Sequence, residues 1–223
     1  MSSQLIELIV LFAIAAFVLF RLKSVIGTRT GYEAPPDYLR REGSAPGGAA
    51  RPAPVPGRDE DEEEKGLLRE LPPALREKVV AMRRVEPDFS LAAFLEGARA
   101  AYEMILMAYE SGDRETLRDL LAPDVYQAFE QVIAEREAKG LHVDARFVGV
   151  RESRVEDIAF DPETAEADIT VRFVGELVTA VRDAAGRIVE GDPNEIRRQT
   201  DVWTFSRVLG SDDPTWLLTA TGE

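Results

Sequence analysis

A chain of 223 residues with 45% hydrophobic content can bury one sizeable core and carry further segments beside it. It has no cysteine, which excludes disulfides, thiolate metal sites and cysteine nucleophiles. The net charge is -14: through Lys65, 8 Lys/Arg stand against 10 Asp/Glu, and beyond it 19 stand against 31. So acidic a body excludes a phosphate backbone as partner unless a local basic face exists, and it is repelled by anionic headgroups unless a basic segment makes the contact.

Leu8–Phe20 is an unbroken apolar run of 13 residues, extended upstream by Leu5 and Ile6 and downstream by Leu22, Val25 and Ile26. Leu5–Ile26 would make about 33 Å of helix. That spans a bilayer core if Arg21 and Lys23 snorkel to the interface. A cleaved signal peptide is the rival reading. It wants positive charge ahead of its apolar run, whereas here Arg21, Lys23 and Arg29 all follow it. The flank asymmetry therefore predicts a retained transmembrane anchor over residues 1–26, with everything after it on the cytoplasmic side.

Residues 27–65 hold six Gly and six Pro and read as a disordered linker that ends in the six carboxylates Asp59–Glu64. The acidic run reads as a solvated spacer, with docking of a basic partner as the alternative. Residues 66–84 form a basic amphipathic region. In it Pro73–Arg84 is a helix opened by proline, with Leu75, Val79 and Met82 on one face. Arg76, Lys78, Arg83 and Arg84 make it basic, so Arg76, Lys78, Val79, Met82, Arg83 and Arg84 are candidates for contact with an anionic lipid surface. Docking of this helix on its own domain is the open alternative.

Residues 85–223 form the folded domain. Ser90 caps a helix over Leu91–Glu110, whose stripe Leu91, Leu95, Ala98, Tyr102, Ile105 and Tyr109 is spaced by four and three. Ser111-Gly112 ends it, Asp113 caps a short helix with Leu117, Leu120 and Leu121, and Pro123 opens a third helix, with Phe129 and Ile133 inward, that ends at Gly140. The period then becomes two. Phe147–Val150 and Val155–Phe160 are candidate strands. In the clearest strand Ala167, Ile169, Val171, Phe173, Leu177 and Val181 oppose Asp168, Thr170, Arg172, Glu176 and Arg182. Gly175 is its expected bend or bulge. Arg187–Glu190, Asp201–Val208 and Trp216–Thr221 complete the sheet. Helices first and strands after predict an α+β fold, a curved antiparallel sheet wrapped on helices, with an apolar cavity lined by Tyr102, Ile105, Tyr109, Phe129 and Phe173.

No catalytic set is visible. His142 is the sole histidine, no glycine-rich phosphate loop follows a strand, and the carboxylates sit in solvated runs or on polar strand faces. Tyr102, Tyr109 and Tyr126 are the polar aromatics on helices, and their spacing reads as core. The expectation is a protein without enzymatic activity, metal or cofactor.

The strings Phe94-Leu-Glu-Gly-Ala-Arg-Ala-Ala-Tyr-Glu-Met-Ile105, Ala108-Tyr-Glu-Ser-Gly-Asp113 and Leu120-Leu-Ala-Pro-Asp-Val-Tyr126, together with Val202-Trp-Thr-Phe-Ser-Arg207 and Asp213-Pro-Thr-Trp216, resemble the Tim-forty-four family, in its alphaproteobacterial TimA branch. The resemblance runs from about Arg84 to the end. It implies a nuclear-transport-factor-two-like cone and a place at the bacterial inner membrane. Mitochondrial members tether a DnaK-type chaperone to a preprotein translocase, and their domain is proposed to touch cardiolipin-rich membrane through its first helices. The long N-terminal region that serves chaperone and channel in mitochondria has no counterpart here, so the tethering role does not transfer intact. The expectation is a membrane-anchored adaptor that recruits a protein partner, with translocase or chaperone machinery as the implied class. The alternative is a lipid- or small-ligand-binding module at the membrane surface.

Overall fold

The computed structural model describes residues 58–222, with side chains from Glu62 onward. The anchor expected over 1–26 and the linker up to residue 57 lie outside them. Among the described residues no helix is long and apolar enough to cross a membrane.

Among the described residues five helices precede five strands. α1 (Arg58–Glu70) and α2 (Pro73–Val85) are joined at Leu71-Pro72 and tied by the Glu64–Arg83 pair, and α3 (Leu91–Ser111) is the long central helix. α4 (Arg114–Leu120) and α5 (Pro123–Ala138) lead to the sheet. Its strands are β1 (His142–Phe160), β2 (Glu166–Arg182), β3 (Ile188–Gly191), β4 (Arg197–Val208) and β5 (Leu217–Gly222). All pairings are antiparallel, in the order β1-β2-β4-β5, with β3 continuing the β4 side of β2.

The core lies between α3 and the sheet. Leu91, Leu95, Ala98, Tyr102 and Ile105 are all buried, and Ala167, Ile169, Val171 and Phe173 meet them from β2 with Trp203 and Phe205 from β4. Ser90 caps α3 through a bond from Ala93 N, and Gly112 closes it in the left-handed region at φ 75°, where glycine carries no Cβ penalty.

Three expectations need correction. First, the linker was expected to run to residue 65, but residues 58–65 belong to α1. Leu67, Leu68 and Leu71 pack on the core, and the Glu64 carboxylate accepts from Ser90 Oγ at 2.9 Å, from Ala92 N at 2.7 Å and from Arg83. Glutamate is a good helix former and carboxylates near a helix start are favoured, and the Glu64 contacts dock the resulting helix on the domain.

Second, the two short strands expected before Asp161 are one continuous strand. It carries bulges between Phe147 and Gly149, Val150 and Glu152, and Val155 and Asp157, each adding one residue to β1 against β2. The β1 bulges at Val148 and Arg151 lie opposite residues 174–177, so one falls beside Gly175 on the facing strand, while β2 stays in unbroken register with β4 there. Gly175 has a further cause: a Cβ there would lie 2.6 Å from the Tyr102 hydroxyl. The glycine makes room for the tyrosine.

Third, the outer face of β2 is not uniformly wet. Glu176 is only 6% exposed because Arg151, an extra residue of a β1 bulge, and Arg198 of β4 fold over it, at 2.7 and 3.0 Å.

Candidate functional site

The expected lipid-facing set divides in two. Val79 and Met82 are in the core, at 1% and 0% exposure. Arg83 is tied to Glu64 and donates through Nε to the Phe89 carbonyl at 3.0 Å. These three hold α2 onto its own domain and are unavailable to a membrane. Arg76, Lys78 and Arg84 are exposed. Arg76, Val80 and Arg84 recur every fourth residue and share one outer ridge, on which Val80 is 54% exposed. Val80 is the apolar residue of this ridge that the buried stripe does not single out. The amphipathic pattern did signal α2, but it assigned the buried stripe where the exposed ridge was wanted.

The expected cavity set belongs to, or packs against, the hydrophobic core. Tyr102, Ile105 and Phe173 are at 0% exposure, and Tyr109 and Phe129 stand edge to face at 5.0 Å with the Arg136 guanidinium over the Tyr109 ring. None of the five lines either of two surface cavities found among the described residues. Helical spacing marks the inward face but does not distinguish a filled interior from a hollow one.

Tyr102 is held at both ends. Its ring stacks on Phe173 at 4.5 Å and tilts against Trp203 at 4.7 Å. Its hydroxyl donates to Asp201 Oδ2 at 2.5 Å, and Gln199 Nε2 donates to the same oxygen at 2.9 Å. Burial raises the Tyr102 hydroxyl well above its ordinary value, and the neighbouring Asp201 charge adds to this. Burial likewise raises the Asp201 carboxyl, outweighing the bonds from Tyr102 and Gln199. A carboxyl and a phenol shifted this way can hold a proton. They lie against aromatic rings and line neither cavity, so they serve the core.

Tyr126, the third polar aromatic, accepts from Arg118 Nη2 at 3.1 Å at the surface. His142 is exposed as the first residue of β1.

The two cavities are surface grooves. One, of about 430 Å³, runs between Leu67 and Leu71 of α1, Leu91 and Leu95 of α3, and Ser153 and Val155 of β1. The other, of about 420 Å³, lies between α3 and the strand ends. Its floor is Ala93, Gly97 and Ala101, its far wall Phe205 and Trp216, and its rim Glu86, Asp88 and Arg207. Arg207 bonds Glu86, lies 5.2 Å from the Trp216 ring centre, and keeps its Nε buried without an acceptor among the described residues. Burial pushes the Glu86 carboxyl up, but the Gly210 N–H, at 2.9 Å, and the Arg207 guanidinium outweigh it and hold the group below its ordinary value. Gly97, a glycine inside a helical pattern, is the single local signal that points to this groove.

A layer of helices on a bulged antiparallel sheet, with two surface grooves among the described residues, is an α+β domain. The chain belongs to the Tim44-like domain family, whose match covers residues 75–223 and so takes in most of α2. It is 27% identical over 135 residues to the human mitochondrial import inner membrane translocase subunit TIM44, covering 60% of this chain and 29% of that protein. It is 29% identical over 174 residues to translocase subunit TIM44-1 of Arabidopsis thaliana, covering 74% of this chain and 35% of that one. The chain thus spans about a third of the length of these relatives. Among solved structures, the intermembrane space region of chloroplast protein ARC6 is similar at a TM-score of 0.40 and 15% identity, covering 57% of this chain and 94% of that one. That likeness is too distant to bear on function.

Proposed function

We propose that the chain is a non-enzymatic adaptor of the bacterial inner membrane, held by its N-terminal apolar run, that presents its Tim44-like domain to a protein partner on the cytoplasmic side. Membership of a family whose mitochondrial relatives are named as import translocase subunits carries this reading. The apolar run Leu8–Phe20 ahead of the domain supports membrane attachment. The proposed architecture is the nuclear-transport-factor-two-like cone, with the β1 bulges as the source of its curvature. The test is photocrosslinking in intact inner membranes from Lys78 on α2 and from Met104 on the exposed face of α3. Capture of defined proteins from either position is the expected result. Capture of nothing but lipid and random neighbours rejects the adaptor.

A second reading is favoured by the outer ridge of α2. Arg76 and Arg84 flank the exposed Val80, an arrangement suited to anionic headgroups with one apolar side chain inserted. The chain has no cysteine, so V80C gives a unique labelling site. A polarity-sensitive dye there should shift to the blue in nanodiscs containing cardiolipin and revert at high salt. An unchanged spectrum disposes of the lipid-facing ridge.

A further inference from the structure

We propose that the groove between α3 and the strand ends takes a short extended segment of the partner protein. Its bulky apolar side chain lies against Met104 and Trp216, its backbone runs along Ala93, Gly97 and Ala101, and a basic side chain meets Asp88. This rests on the adaptor reading and names the chemistry that the adaptor recognises.

The floor is the first indication. Gly97 sits inside the 21-residue α3, where glycine weakens a helix relative to alanine. Packing does not require it, because a Cβ at Gly97 would meet nothing within 4 Å. Its left and right neighbours along the groove, Ala93 and Ala101, are also small. A floor this smooth lets another backbone come close.

The wall supplies the apolar partner. Trp216 and Phe94 stand edge to face at 4.8 Å, and Arg207 bonds Glu86 and, through Nη1, the Pro214 carbonyl at 3.4 Å, which fixes this end of the groove. An aromatic wall beside the exposed Met104 takes a bulky apolar side chain, and an extended segment presents one without internal bonds of its own to break.

Charge selects the segment. Glu86 is neutralised by Arg207, whereas Asp88 is exposed and forms no ion pair among the described residues. The groove therefore presents a net negative rim on a chain of net charge -14. A Lys or Arg on the ligand is attracted and an anionic lipid headgroup is repelled. With about 420 Å³ to fill, the groove accommodates a large side chain and its neighbours.

The experiment uses the full-length chain in nanodiscs of neutral phosphatidylcholine. The probe is a fluorescein-labelled peptide of Phe and Leu flanked by lysines, followed by anisotropy. Saturable binding is expected, with the Glu-flanked version of the peptide weaker by about tenfold. Gly97→Leu should fill the groove and weaken the Lys-flanked peptide by about tenfold without lowering the melting temperature. Asp88→Lys should reverse the preference and favour the Glu-flanked peptide, and this holds as a test even if Gly97→Leu disturbs the fold. Equal binding of both peptides, or binding untouched by Gly97→Leu and Asp88→Lys, overturns the proposal. Displacement of the peptide by cardiolipin added to the nanodiscs, lost in Gly97→Leu, makes the groove a lipid site and overturns it too. If the peptide fails while crosslinks from Lys78, which lies outside the groove, still capture protein, the groove assignment falls and the adaptor stands. Loss of both removes the adaptor as well.

Discussion

Tyr102 and Asp201, 99 positions apart in the chain, meet in the core with the tyrosine hydroxyl donating to Asp201 Oδ2 at 2.5 Å. This one bond pins the middle of α3 to β4. It does so past residue 175 of β2, where the lack of a Cβ leaves room for the tyrosine. Three elements thus depend on one side chain.

Gly175→Ala should therefore be among the most damaging single-methyl additions in the domain. The new Cβ would fall 2.6 Å from the Tyr102 hydroxyl and 2.9 Å from its ring, and overpacking of this kind costs about 1–3 kcal/mol. A denaturant titration should show the loss as a lower midpoint with an unchanged slope. An unchanged midpoint would mean that β2 shifts freely at this point.

Asp201 should impose a pH dependence opposite to that of an ordinary paired carboxylate. Its folded pKa lies above the ordinary 3.8, because burial outweighs the bonds it accepts. Its contribution is then greatest below 3.8 and is lost as pH rises through the higher folded value. Asp201→Asn should remove that decline, so that the stability curves of variant and parent converge in acid and separate above it. Midpoints measured across the acid range decide the matter.

Glu86 should act in the other direction. Its folded pKa lies below the ordinary 4.5, so its contribution is present above 4.5 and is lost as pH falls through the folded value. Glu86→Gln should flatten this acid limb. It should also loosen the 210–216 connection, which is read as faster amide exchange at Gly210, whose N–H bonds the Glu86 carboxylate.

Glu64 should govern whether α1 stays docked. Its carboxylate serves Ser90, Ala92 and Arg83 together, so Glu64→Ala leaves a helix-start donor and a guanidinium short of a partner. The expected cost is about 1–3 kcal/mol. Hydrogen exchange should rise through residues 62–71 while the β2–β4 ladder stays protected. Uniform loss of protection would show that α1 is part of the main cooperative unit.

Much of this fold was legible beforehand because periodicity is a local property. The α3 stripe from Leu91 to Ile105 and the β2 alternation from Ala167 to Phe173 each follow from side-chain direction within one element, and both faces proved to be core. The α2 pattern was equally legible, yet it misplaced the contact surface. Val79 and Met82 satisfy the criteria for a lipid-facing stripe and for a core-facing stripe alike, and only the neighbouring α3 and sheet decide between them.

By itself the sequence determined the order of helices and strands, the caps at Ser90 and Gly112, the acidic character of the body and the family to which its motifs point. The tertiary structure alone decided that Glu64 docks on Ser90, Ala92 and Arg83, that the extra residues lie in β1 and not within β2, that Glu176 is buried, and that Arg207, Glu86 and Trp216 enclose one end of a groove. The physical reason is common to all four. Each depends on a hydrogen bond, ion pair or close approach between residues remote in sequence, and such pairings are chosen by the packing of whole elements, which no local pattern encodes.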